Sequence, residues 1–211
     1  MQLFKRVAYI SVIAVSLPFF FAGASTIIKV PFTSQAPFGN WARPWQDFCE
    51  EASLVMAVHF VWGLAITPQA ADTEMQIMQR YEALVLGHSK DTSIEETAGI
   101  LRGLFGFKKV STKVVISVQD IKKELSAGRL VIMPAAGQML KNPYFTAPGP
   151  VYHMLVVRGF DDARDVFITN DPGTRRGEGL TYDQTLLFMA LHDWNGCAVL
   201  QGEKRIMIVE K

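Results

Sequence analysis

Charge of either sign is scarce in this chain. Asp, Glu, Lys and Arg make up 19% of its 211 residues, and 21 basic against 20 acidic side chains leave a formal charge of +1. That balance gives no field that would draw a polyanion or an acidic surface, and no segment carries a basic stripe. Nucleic-acid binding is thereby disfavoured. Internal repeats, low-complexity tracts and a glycine-rich phosphate loop are also missing. The four histidines lack ligand spacing, and neither a paired-cysteine motif nor His-Glu-x-x-His is present. A metal site is therefore not expected, and no cofactor is implied. Cysteine is rare too, with Cys49 and Cys197 alone.

Apolar side chains are plentiful, at 49%, which marks a globular chain. The N-terminus accounts for part of this. Lys5 and Arg6 precede an apolar run from Val7 to Ala22, followed by Ala22-Gly23-Ala24. A positive start, an apolar stretch and a small-x-small site are the three parts of a secretory signal. Residues 1–24 are thus expected to be a signal peptide, or an uncleaved membrane anchor, since the run is only slightly short of a span. Either form places residues 25–211 outside the cytoplasm, secreted, periplasmic or anchored, with membrane contact only through the N-terminal segment if it stays. The remainder suffices for one domain with a sizeable core. Two cysteines in an exported domain invite a disulfide, yet their settings differ. Cys49 sits among polar and aromatic residues at an expected helix start, whereas Cys197 in Gly-Cys-Ala-Val-Leu opens an expected strand, a place for a small buried hydrophobe.

Along the chain, Ile27 to Phe32 reads as a strand, and Thr33 to Trp45, rich in Pro, Gly and aromatics, as a loop. From Cys49 to Trp62, Leu54, Val55, Val58 and Val61 recur at helical spacing and Gly63 supplies a stop. Asp47 is the candidate N-cap, with Glu50 and Glu51 in the first turn. Further helices are expected at Pro68–Leu86, at Ser93–Leu104 with Ser93 and Glu96 in capping-box spacing, and from Ser117 to Gly128. Strands are expected at Leu130–Pro134, Val151–Phe160, Val166–Thr169 and Val199–Val209, with one helix over Asp183–Trp194 between the last two. Helices first and a mostly antiparallel sheet afterwards is an α+β layout.

A cysteine nucleophile must be a thiolate near neutral pH, which a helix N-terminus beside an imidazolium favours. Cys49 meets the first condition. Among the histidines, His59 lies ten residues along the same helix, roughly 15 Å away by helical rise. His88 and His192 fall in solvated settings. His153 follows Pro148-Gly149-Pro150 and opens the strand Met154-Leu155-Val156-Val157, which makes it the candidate base. A third group should accept the proton of the other ring nitrogen. If the strands around Val156 and Ile168 form a hairpin, Asp171 or Asn170 meets His153. An oxyanion needs donors: the N–H of Cys49 is one, and the amide of Gln35 or Gln46 a candidate second. Phe38, Trp41 and Trp45 would suit a peptide-binding surface or a packed loop.

Val30-Pro31-Phe32-Thr33-Ser34-Gln35, Cys49, Tyr152-His153-Met154-Leu155-Val156-Val157-Arg158-Gly159-Phe160-Asp161 and Asn170-Asp171-Pro172 together resemble a known family. It is that of the papain-like cysteine peptidases related to the bacteriocin-processing, double-glycine-leader enzymes. The resemblance implies a papain-like cysteine proteinase fold, with a helical N-terminal half packed on the sheet, and a thiol peptidase acting on a peptide or protein substrate. By matched position it implies Gln35 as the oxyanion residue, Cys49 as nucleophile, His153 as base and Asp171 as its orienter. One departure stands out. The family commonly has glycine after its cysteine, and this chain has Glu50, whose acid group would narrow the cleft or raise the thiol pKa. Rival readings share the fold: a cell-wall amide hydrolase or acyl transferase, and a peptide-binding module without the chemistry.

Overall fold

The computed structural model describes residues 23–196 and 198–211. Among them, a short strand β1 (Ser25–Ile27) leads to three helices, α1 (Cys49–Trp62), α2 (Pro68–Val85) and α3 (Ile94–Leu104). β2 (Val110–Val114), α4 (Val118–Ser126), β3 (Leu130–Ala136) and β4 (Tyr152–Asp161) follow. The chain ends with β5 (Val166–Asn170), β6 (Glu178–Asp183), α5 (Gln184–Ala190) and β7 (Arg205–Val209). The sheet runs β2-β7-β3-β4-β5-β6, with β1 pairing onto β4, and every pairing is antiparallel. The α+β layout is the observed one.

Strand periodicity divides the core in two, because successive side chains point to opposite faces. Leu130, Ile132, Met154, Val156 and Met207 join the cluster of α1, α2 and α3. Val131, Met133, Leu155, Val157 and Ile206 join Ile121, Leu125 and Leu187 of α4 and α5 on the other face. The sheet is therefore covered on both sides, and β3 is buried along its whole length. Between α2, α3 and β4 lies α1, buried at every position from Cys49 to Phe60; a helix enclosed on all sides has little apolar asymmetry to display.

The helix boundaries follow their signals. Gly63, at φ 70°, closes α1 in the left-handed region that glycine enters without a Cβ penalty. Thr67 caps α2, and Ser93 and Glu96 complete a reciprocal capping box on α3. Asp47 does not cap α1. A single 3-10 turn, Trp45–Asp47, intervenes, so the N-cap is Phe48 and no side chain caps the helix; Asp47 pairs instead with Arg43 at 3.2 Å.

Strands depart further from expectation. β1 ends at Ile27, because past Ile28 the chain leaves the sheet and carries Pro31 toward the loop that holds Gln35. β2 and β6 were not apparent from the sequence pattern, and Val199–Gln201 forms a 3-10 turn, so the last strand begins only at Arg205. α5 is shorter than the expected 183–194, with Asp183 as its cap. β3 runs on past Pro134 to Ala136. β7 pairs with β3 only as far as Ile132, so Pro134 falls where a missing N–H breaks no ladder on that side. The expected targeting segment falls on residues outside those described, apart from Gly23 and Ala24, and Cys197 lies outside them as well. No helix among the described residues is long and apolar enough to cross a membrane.

Leu54, fully buried in α1, tests this packing. Leu54→Ala should lower the unfolding free energy by about 2–5 kcal/mol, read from guanidinium unfolding of the full chain. A loss under about 1 kcal/mol would contradict a helix enclosed on all sides.

Candidate active site

Cys49 is the first residue of α1, and its free thiol is buried. With no side-chain cap on that helix, the first-turn N–H groups remain for other acceptors. Sγ donates to Glu50 Oε2 at 2.9 Å and accepts from the backbone N–H of Met154. This second contact places the sulfur against β4 one residue beyond His153. Burial pushes the thiol well above its ordinary value; the carboxylates of Glu50 and Glu51 push it further, and the Met154 N–H pulls the other way. The concern raised by Glu50 has the right sign, although burial is the larger cause.

His153, the second residue of β4, pairs opposite Ala135 of β3 and is buried. Its Nε2 lies 2.7 Å from Asp171 Oδ1. Asp171 follows the last residue of β5, and the β4–β5 hairpin brings it there by pairing Val156 with Asn170. Of the two sequence candidates it is Asp171 that meets the ring; Asn170 turns its amide to the carbonyls of Val30 and Pro31. A fully buried carboxylate must be paired and hydrogen-bonded, and this one is. Oδ1 also accepts from Gly173 N at 2.9 Å, and Oδ2 from Asn142 Nδ2 at 3.0 Å and the Tyr182 hydroxyl at 2.5 Å. Burial alone would raise the Asp171 pKa, but the facing imidazole and these donors hold it below the usual carboxylate value. With Nε2 donating to Asp171, a neutral ring presents Nδ1 as acceptor. Phe145 stands edge-on to the ring, 5.2 Å between centroids. Gly173 completes the seat: a Cβ there would lie 2.9 Å from His153 Cε1 and 2.7 Å from the Phe145 ring.

Gln35 is fixed from both ends. Its N–H donates to Pro172 O at 3.0 Å, and its Nε2 donates to Trp45 O at 3.0 Å and Gln46 O at 2.7 Å. It thereby ties the loop after Asp171 to the turn before Cys49. Gln35, Cys49 and His153 line one cavity of about 880 Å³, with Gln46, Trp41 and Trp194 among the other walls. Both candidate glutamines reach the cleft, and Gln35 donates its amide nitrogen to the turn before α1. Trp45 donates to Asp72 at 2.6 Å and packs on the core, whereas Phe38 is exposed.

The other histidines stand apart. His59 lies with Nδ1 2.9 Å from Ala65 O and Nε2 3.1 Å from Glu74. His88 faces Glu96 at 3.7 Å, and His192 Nδ1 faces Gly202 O at 3.2 Å. Sequence reasoning missed Asn142 and Tyr182, which come from the segment after β3 and from β6; neither sits in a pattern that announces a carboxylate partner. It also placed Glu50 and Glu51 in the first turn as dipole partners, but both are buried, close to Glu82. One oxygen of Glu82 has no partner among the described residues.

The model of the Peptidase_C39 like family matches residues 27–197. Among solved structures, the chain is similar to one described as a C39-like peptidase from Bacillus anthracis. The identity is 15%, the TM-score 0.58, and the match covers 89% of this chain and 98% of that one. At that identity the likeness is one of fold. No curated protein matches the chain.

The buried acids make stability depend on pH. Burial, then the charges of Glu50 and Glu96, push Glu82 up from an ordinary 4.5 to about 8. A carboxyl group raised in the folded state favours folding below its unfolded pKa, and that contribution is lost as pH rises through the folded one. Unfolding free energy should therefore fall between pH 5 and pH 8, and Glu82→Gln should flatten the fall. Guanidinium unfolding at the two pH values checks it; equal slopes for both proteins would contradict the shift.

Proposed function

The chain belongs to the Peptidase_C39-like family, and from that premise we propose that it is a thiol hydrolase cleaving peptide bonds. Cys49 is the nucleophile, His153 the base, and Asp171 the group that orients the imidazole. The observation that carries this reading is the 2.7 Å contact between His153 Nε2 and Asp171, which leaves Nδ1 for a thiol lining the same cavity.

The chemistry runs as follows. His153 Nδ1 takes the thiol proton, and Sγ attacks the carbonyl carbon of the scissile bond. Negative charge gathers on the carbonyl oxygen, where the Cys49 N–H and the Gln35 amide are the donors. Of the two Gln35 contacts, the longer, to Trp45 O, is the one a developing oxyanion would displace. The imidazolium returns its proton to the leaving amine, which departs and leaves a thioester. Water, deprotonated by His153, then attacks the thioester carbonyl; the acid product leaves and Sγ recovers a proton. Asp171 stays ionised throughout and stabilises the imidazolium. The substrate is a peptide or protein segment laid along the cleft. The basic start and apolar run of residues 5–22 support action outside the cytoplasm.

A second reading, a peptide-binding module with the same fold, draws on the elevated thiol pKa. Peptide turnover separates the two. Cys49→Ala and His153→Ala should each reduce cleavage of a mixed peptide library by about a thousandfold or more, while the purified variants still melt cooperatively. If the wild-type chain leaves the library intact across pH 5–8, or if Cys49→Ala cleaves as well as wild type, the hydrolase reading falls and the binding module stands.

A further inference from the structure

The buried side chain nearest the nucleophile that the mechanism does not use is Glu50. Its two oxygens are both engaged: Oε1 accepts from Thr92 N at 3.1 Å, and Oε2 takes the Cys49 thiol at 2.9 Å. Among the described residues the thiol proton thus points to Glu50, and His153 Nδ1 makes no hydrogen bond. The N–H of Thr92 fixes the carboxyl group from the segment before α3, and Tyr152 braces that segment by donating to Thr92 O at 2.9 Å. Glu50 is positioned by three parts of the fold against the reacting sulfur.

We infer that Glu50 belongs to the catalytic centre and sets the proton state of the nucleophile, one proton being shared between its carboxyl group and Cys49 Sγ. This rests on the hydrolase reading above. In the resting state the proton is on sulfur, Glu50 is a carboxylate, and His153 is neutral. In the reactive state His153 has taken the thiol proton, and Glu50 carries a second proton, taken from solvent, which it donates to the thiolate. The reactive state holds one proton more, so lower pH favours it. An ionised Glu50 beside a thiolate is two like charges at hydrogen-bond distance, which is strongly disfavoured in a buried site.

The surroundings favour the protonated form of Glu50. Burial pushes its pKa up, and Asp91 adds to the rise, while the thiol and Thr92 donors oppose it. The groups facing it are mostly acidic: Glu51 from α1, Glu82 from α2 and Asp91 from the segment before α3. Tyr152 faces it from β4, where burial and Glu50 raise the phenol pKa. Asp47 is paired with Arg43, and Lys90 lies 4.0 Å from Asp91.

Glu50→Gln tests the inference in the full chain. The amide keeps an oxygen for Thr92 N and offers an N–H to sulfur, so it imitates the protonated acid at the same size. Alkylation of Cys49 by iodoacetamide, located by peptide mass, is followed from pH 5 to 10 in wild type, Glu50→Gln and His153→Ala. The expected result is a wild-type thiol titrating above an ordinary cysteine, and a Glu50→Gln thiol labelled about tenfold faster or more at pH 7, the change that one unit of pKa gives. Superimposable profiles for wild type and Glu50→Gln would overturn the inference. If Glu50→Gln fails to melt cooperatively, the wild-type profile decides alone: a labelling rate that keeps falling tenfold per pH unit down to pH 5, as for a simple thiol, overturns it, and one that levels off or rises again below pH 7 supports it. Should Glu50→Gln speed labelling while His153→Ala changes nothing, the proton sharing holds and the hydrolase reading is what fails.

Discussion

The His153–Asp171 pair is the contact on which the rest of the site depends. Asp171 is a carboxylate with no access to solvent, and such a group survives burial only with a full set of donors. It has them from four directions: the imidazole, the N–H of Gly173, the amide of Asn142 and the hydroxyl of Tyr182. Those donors come from β4, the turn after β5, the segment after β3 and β6. The sheet must assemble in register before they meet. Once it has, the ring is held against Asp171 and lines the cleft. A one-residue slip between β4 and β5 would send every side chain to the opposite face and dissolve the site with the core.

The sulfur arrives from the other half of the molecule. α1 is buried on all sides, so its first residue is held where the helix meets the start of β4. Gln35 joins the two halves through Pro172 O on one side and the carbonyls of Trp45 and Gln46 on the other. The electrostatics then pull in opposite directions across the cleft. On the sheet side the ring and the other donors hold Asp171 ionised despite its burial. On the helix side burial raises Glu50, Glu51 and Glu82, and Glu50 and Glu51 resist a negative charge on sulfur.

Much of this was legible in the sequence where a local signal existed. The α1 span, its glycine stop, the Ser93–Glu96 box, the β4–β5 hairpin and the ordered residues Gln35, Cys49, His153 and Asp171 all carried one. β2 and β6 did not. Val-Ser-Thr-Lys-Val and Glu-Gly-Leu-Thr-Tyr-Asp lie at the two edges of the sheet, half in solvent, and owe their strand form to the neighbouring backbone rather than to an apolar period. Asn142 and Tyr182 were invisible for a related reason: a carboxylate's partners are chosen by tertiary proximity. The burial of Glu50 and Glu51 contradicts the ordinary expectation that first-turn acids face water, and that conflict marks the place where structure adds most to sequence.

The most direct measurement is a crystal structure of the full chain inactivated by a peptidyl electrophile that mimics a scissile carbonyl. The sulfur of Cys49 should be bonded to the inhibitor, with His153 Nδ1 against it, Nε2 still on Asp171, and the inhibitor oxygen within hydrogen-bond reach of the Cys49 N–H and the Gln35 amide. An adduct on any other side chain, or a His153 ring turned from the sulfur, would contradict the convergence of these four residues on one reaction.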